Sequence, residues 1–215
     1  MDDASSESLL FHSSSLYGNV VLNFQPSAMN ELGVYARAFH NAGQKLAEAM
    51  FSLPGYHDID ACPIVFLYRH SLELCLKAIV YEGFKIERLD NENHPFPNYL
   101  LTQHKLSQFI DDVRKTFNNV GYIWETETEE MRTFNDFVRF VKEFDSVDAG
   151  SYTFRYPIKK DAQASVPPHF IFHVPAFCQY MDALLETLEA ALTGIQLVYD
   201  QRSEIMCDQR PGEMG

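Results

Sequence analysis

The stretch Tyr68-Arg69-His70-Ser71-Leu72-Glu73-Leu74-Cys75-Leu76-Lys77-Ala78 decides the fold. Plotted at about 100° per residue, Arg69, His70, Glu73 and Lys77 fall on one narrow arc, while Ile64, Leu67, Tyr68, Leu72, Leu74, Cys75, Ala78 and Ile79 fill the rest of the circumference. A helix that is apolar on most sides belongs inside a bundle. Its charged arc must then meet partners or line a cleft, because an unpaired buried charge costs roughly several kcal/mol. Arg69 with Glu73, and Glu73 with Lys77, are i, i+4 pairs worth only about 0.2 to 0.5 kcal/mol each when exposed. Two readings stand at this point: a structural ion network tying the helix to its neighbours, or a polar functional site.

Working outward, the spacing predicts five helices. Ser27 offers an N-cap for a first helix to about Leu53, broken by Pro54-Gly55, and Val20, Val21, Leu22 and Phe24 before Pro26 form a short extended segment. Asp60 and Pro63 open the second helix, expected to reach Gly83. A third takes Lys105 to about Asn119 on the face Leu106, Phe109, Ile110, Val113 and Phe117. Glu127, Glu129 and Glu130 favour the start of a fourth, whose Phe134, Phe137, Phe140 and Phe144 read as core and dimer interface. Pro175 starts a long last helix with Phe177, Met181, Leu184, Leu185, Leu188, Leu192, Ile195, Leu197 and Val198 inward. Residues 84–103 and 145–168 read as two long loops. The expected fold is all-α, an antiparallel bundle of about five helices, with an N-terminal extension over 1–26, the bundle over 27–201 and a flexible tail over 202–215.

Composition narrows the function. The 215 residues carry 17 Lys and Arg against 30 Asp and Glu, a net charge of −13, with 46% hydrophobic and 22% charged residues. That is a globular composition, long enough to bury roughly 70% of its unfolded surface without a metal or disulfide staple. A broad polyanion-binding surface is excluded, since it needs clustered Lys and Arg, and only a local basic cleft remains. Such a cleft would have to gather Arg69, Lys77, Lys105 and Arg155. Cys62, Cys75, Cys178 and Cys207 form no CxxC pair and read as free thiols of a reducing cytosol. The opening Met1-Asp2-Asp3 lacks a basic secretory n-region, and no apolar run reaches the ~18 residues of a membrane span, so a cytoplasmic protein without a membrane partner is expected.

Two further polar clusters could close on the arc of the second helix. His104 and Lys105 sit at the mouth of the third helix, and Asp145, Asp148, Ser151, Arg155 and Tyr156 lie in the loop expected after the fourth. In Phe154-Arg155-Tyr156-Pro157 an arginine is flanked by aromatics and ended by proline, a segment stiff enough to aim a guanidinium at a carboxylate or phosphate. The plainer reading has Arg155 paired with Glu73 or Asp145, fastening the loop.

Taken together, Tyr68 to Ala78, then His104-Lys105-Leu106, then Asp145, Ser151 and Phe154-Arg155-Tyr156-Pro157 resemble the pattern of bacterial HEPN-like proteins over roughly residues 60 to 160. The resemblance implies an all-helical bundle, homodimerisation, and kinship with ribonucleases, toxin and antitoxin components and phage-defence proteins. Active members of that superfamily carry an arginine four to six residues before a histidine and cut RNA without a metal across a dimer interface. Here Arg69-His70 matches the first half, but Leu74, Cys75 and Leu76 occupy the distal positions, so the second histidine is missing. Arg88 and His94 have the spacing, in a stretch read as loop. If Arg69, His70, His104 and Arg155 converge, they would supply an acid, a base and an oxyanion stabiliser for phosphodiester cleavage, with Glu73, Lys77, Asp145 and Tyr156 as the supporting polar network.

No Gly-rich phosphate loop, GxSxG or HExxH is present, and no cofactor is expected. His169 and His173 have the spacing of a metal pair, but the prolines around them favour a loop and no acidic third ligand is near. Two functions therefore compete: a HEPN-like protein of a defence or toxin system that engages RNA or a nucleotide, with metal-independent RNA cleavage as its expected chemistry if it is an enzyme, and a non-catalytic helical module that dimerises or docks on a partner encoded nearby.

Overall fold

The computed structural model describes residues 20, 22, 27–52, 55–126 and 128–208. Most of the expected 1–26 extension, the Leu53-Pro54 break, Glu127 and residues 209–215 lie outside the described residues. The architecture is an all-α antiparallel bundle: α1 (Leu32–Ser52), α2 (Ala61–Asp90), α3 (Ile110–Val120), α4 (Phe134–Asp148) and α5 (Val174–Asp208). Among the described residues the only β pairing is an isolated bridge between Ile158 and Ala164. The apolar circumference of α2 places it at the centre, packed by α1, α3 and α5. Tyr68, Leu72, Cys75, Leu76 and Ile79 are fully buried there. The aromatic residues of α4 join this core, with Phe134 edge-on to Phe117 of α3 and Phe144 against Phe177 of α5.

Several boundaries differ from the sequence reading, each for a local reason. Helix α2 runs past Gly83 to Asp90. That glycine does not cap the helix: a Cβ there would lie 2.1 Å from Thr116 Oγ1, so the missing side chain is what lets α3 approach α2. The carboxylates expected to open α4 form only a 3-10 turn, Glu129–Met131. The helix starts after Thr133, whose Oγ1 accepts the Asp136 N–H at 3.2 Å while Asp136 Oδ2 accepts the Thr133 N–H at 3.0 Å, a reciprocal capping box. It continues beyond Phe144, so Asp145 and Asp148 are helical, not loop residues. The first turn of the expected third helix is a 3-10 turn, Leu106–Phe109. Likewise Ala28–Glu31 is a 3-10 turn before α1, and the Ser27 side chain makes no cap hydrogen bond.

The expected flexible tail also begins too early. Helix α5 extends to Asp208, and Arg202 Nη2 donates to the Asn119 carbonyl at 3.1 Å, fastening it to the end of α3. Leu197, placed inward by periodicity, is instead exposed. The segment 149–173 is the longest stretch between helices, and it is held down by side chains rather than by secondary structure. Phe154 is buried, and Ser165 Oγ donates to the Tyr156 carbonyl.

Candidate functional site

The charged arc of α2 splits in two when folded. Arg69, Glu73 and Lys77 point into the protein, where Arg69 is wholly buried and Glu73 nearly so. Arg69 Nη1 donates to Glu73 Oε2 at 2.8 Å, and Lys77 Nζ donates to Glu73 Oε1 at 2.9 Å. Arg69 Nε donates to the Asp148 carbonyl at 3.1 Å and lies 3.3 Å from Asp148 Oδ2, and Nη2 donates to the His104 carbonyl. One guanidinium therefore joins the middle of α2, the end of α4 and the loop before α3. Each of its three nitrogens is engaged, which is what a buried arginine requires. Lys77 also lies 5.7 Å from the centre of the Phe109 ring.

Glu73 is the hub on the acidic side. Burial pushes its carboxyl pKa up, but hydrogen bonds from Lys77, His104 and Arg69 outweigh burial and hold it below the usual glutamate value. With Glu73 ionised, His104 must present the proton, so Nδ1–H donates to Glu73 Oε1 at 2.9 Å. The His104 ring is otherwise open to solvent, its side chain 56% exposed.

The two aspartates at the end of α4 organise the adjoining loops. Asp145 accepts the Leu106 N–H at 3.0 Å on Oδ1 and the Ser107 N–H at 2.8 Å on Oδ2, capping the turn that leads into α3. Asp148 Oδ1 accepts the N–H groups of Tyr152 and Thr153 at 2.7 and 3.0 Å. The sequence positions singled out for a site thus build a continuous structural lattice: α2 to α4 through Arg69, and α4 to both loops through its own carboxylates.

His70 and Arg155 stand apart from that lattice. The His70 ring stacks on Phe66, centroids 5.7 Å apart, and sits edge-on to Phe39 at 4.5 Å. Its pKa is lowered, first by burial and then by the charges of Arg69, Lys77 and Arg155 acting against Glu73, so it is neutral at pH 7. Arg155 pairs with neither Glu73 nor Asp145. Its Nε donates to the Ser151 carbonyl, and its guanidinium lies over Tyr152, Phe66 and Tyr156 at 5.2, 5.4 and 5.8 Å from their centroids. The four cations Arg69, Lys77, Lys105 and Arg155 do not form one basic cleft, because Arg69 and Lys77 are consumed by Glu73 in the interior while Lys105 and Arg155 are exposed.

The remaining candidates resolve as structural contacts. Arg88 is on α2, not in a loop, with Nε donating to the Glu92 carbonyl at 3.2 Å, while His94 pairs with Glu87 at 2.8 Å. His173 Nδ1 accepts the Ala176 N–H at 3.3 Å at the start of α5. No group of three His, Cys, Asp or Glu residues able to hold a metal occurs among the described residues. The four thiols are free, and burial pushes Cys178 up to about 11 and Cys75 higher still.

One polar cluster was not legible in the sequence. On α1, His40 is buried with Nε2 2.8 Å from Asp182 Oδ1 and Nδ1 3.3 Å from Glu189 Oε1, both on α5. Tyr68 Oη and Gln44 Nε2 also donate to Asp182 Oδ1, at 2.8 and 3.1 Å, and Arg37 Nε donates to Glu189 at 2.9 Å. Burial alone would lower the His40 pKa, but the two carboxylates raise it to about 9, so it is an imidazolium that donates from both nitrogens. The available signal was the seven-residue spacing of Asp182 and Glu189, which puts both acids on one face of a largely apolar helix.

No helix among the described residues is long and apolar enough to cross a membrane. Comparison of the chain with models of protein families, with curated proteins and with solved structures finds no match.

Proposed function

We propose that the chain is a HEPN-like helical module of a bacterial defence or toxin system that works by association, with a second copy of itself or with a partner encoded nearby, and not by chemistry at Arg69. One observation carries this reading: the Arg69 side chain is 0% exposed and all three of its nitrogens are engaged within the fold, so it has nothing to offer a phosphate. Association is supported by the outer side of α1, where Val34, Ala38, Ala42 and Leu46 are exposed at helical spacing. Sedimentation velocity on the full chain tests it. A dimer, or a complex with the product of a neighbouring gene, that is lost in Val34→Glu with Ala42→Glu at unchanged helicity supports the proposal. A wild type that is monomeric throughout and binds no such product refutes it.

A second reading, that the protein engages RNA or a nucleotide and cuts RNA without a metal, is favoured by His104. An exposed imidazole whose Nδ1–H rests on a buried carboxylate is the pairing of a general base with its orienting acid. Lys105, Arg155, Lys159 and Lys160 are the exposed cations on the two loops that the lattice ties down. Cleavage of mixed RNA in EDTA that is abolished in a folded His104→Ala variant would establish this reading. RNA left intact by the wild type, with harmless expression in cells, removes it.

A further inference from the structure

A half-open cavity of about 340 Å³ lies between α4, α5 and the segment 149–173, and no side chain of the Glu73 lattice lines it. Its walls are aromatic: Phe140 and Phe144 from α4, Phe177 from α5, and Phe170 and Phe172 from the loop. The rings are already arranged against one another, Phe172 edge-on to Phe177 at 5.9 Å and Phe140 edge-on to Phe144 at 6.3 Å, so the walls are packed in place rather than assembled on demand. The volume falls within the range of small-molecule sites.

The charges at the mouth choose the ligand. Glu130, Asp136, Glu143 and Arg139 line the rim, three carboxylates and one guanidinium. Arg139 is matched by Asp136 at 3.2 Å, which leaves Glu130 and Glu143 as the excess charge. Tyr180 Oη donates weakly to Glu130 at 3.4 Å across the same opening. An anionic ligand would meet two uncompensated carboxylates on a protein of net charge −13. A cation meets those carboxylates and the electron-rich faces of the rings together.

From this geometry we infer that the cavity is a binding site for a small lipophilic ammonium compound, with the apolar stem against Phe144, Phe172 and Phe177 and the cationic head at Glu143 and Glu130. Three probes of one shape separate the contributions: 4-phenylbutylammonium, 4-phenylbutanol and 4-phenylbutyrate, titrated calorimetrically into the full chain. The lone tryptophan provides a second readout, since Trp124 Nε1 donates to the carbonyl of Met131, a cavity residue.

The expected result is saturable binding of the ammonium with a change in Trp124 emission, at least tenfold weaker binding of the alcohol, and none of the carboxylate. Phe172→Ala weakens the ammonium tenfold or more. Glu143→Gln, at an exposed position whose change leaves the fold intact, narrows the gap between ammonium and alcohol several-fold. Equal binding of ammonium and alcohol, preference for the carboxylate, no binding of any probe, or ammonium binding indifferent to both substitutions overturns the inference.

Discussion

Replacing Arg69 by alanine separates a structural role from a catalytic one. The substitution removes hydrogen bonds to Glu73, to the Asp148 carbonyl and to the His104 carbonyl, and leaves two buried aspartate and glutamate side chains short of positive charge. Removing one partner of a buried pair typically costs about 3 to 5 kcal/mol, because the charge left behind remains desolvated. Against a whole-domain stability of roughly 5 to 15 kcal/mol, that is a large fraction. At roughly 2 to 4 °C per kcal/mol for a chain of this size, the melting temperature should fall by about 6 to 20 °C. Urea unfolding followed by circular dichroism measures the loss, and Arg155→Ala is the control. Arg155 is exposed, makes one hydrogen bond, to the Ser151 carbonyl, and rests over three aromatic rings, so its loss should cost about 1 to 2 kcal/mol, below the range expected for Arg69. An Arg69→Ala protein within 1 kcal/mol of wild type, with helicity intact, would refute the assignment of Arg69 to the lattice.

Three further outcomes are expected. The His40 pKa stands near 9 in the folded protein against about 6.5 when unfolded, so its contribution is complete below pH 6.5 and is lost as pH rises through 9. It amounts to about 3 kcal/mol at most, and urea midpoints at pH 6 and pH 9 should differ in wild type and converge in His40→Gln. Gly83→Ala should destabilise by about 1 to 3 kcal/mol despite the better helix propensity of alanine, because the new Cβ meets Thr116 Oγ1, and Thr116→Ala should recover part of the loss in thermal melts. Asp145→Ala removes the acceptor for the Leu106 and Ser107 N–H groups and should cost about 1 to 2 kcal/mol, with faster amide exchange confined at first to those two residues.

Much of the bundle is readable from periodicity because burial of a helix face repeats with the helix. The positions of α2, α3 and α5 follow from their apolar stripes, and α2 announces its central place by being apolar almost all round. The errors cluster where a local signal has two meanings. Gly83 reads as a helix end yet serves a close helix crossing. Glu129 and Glu130 suit a helix start, but the Thr133 and Asp136 capping box supplies better acceptors for the free N–H groups a few residues later. Arg202 looks like the start of a loose tail, but α5 continues to Asp208, with Arg202 bonded to the Asn119 carbonyl and Tyr199 under the Lys85 ammonium.

The polar residues follow a different rule. Residue types and spacing marked Arg69, His70, Glu73, Lys77, His104, Asp145 and Arg155 as a group that could converge, because buried charge must be partnered whatever the fold does with it, yet His70 and Arg155 rest on aromatic rings outside the lattice. Direction was not in the sequence. Whether Arg69 faces a cleft or the interior depends on what α4 and the His104 loop bring to it, and those contacts span 35 and 79 residues. The same holds for His40, whose charge is created by two carboxylates about 140 to 150 residues away. Sequence alone determined an acidic, all-helical chain with one charged seam on its central helix. Only the tertiary structure decided that the seam is closed, that Arg155 rests on aromatic rings outside it, and that the open aromatic cavity lies elsewhere, since these are matters of which distant side chains come within hydrogen-bonding or van der Waals reach.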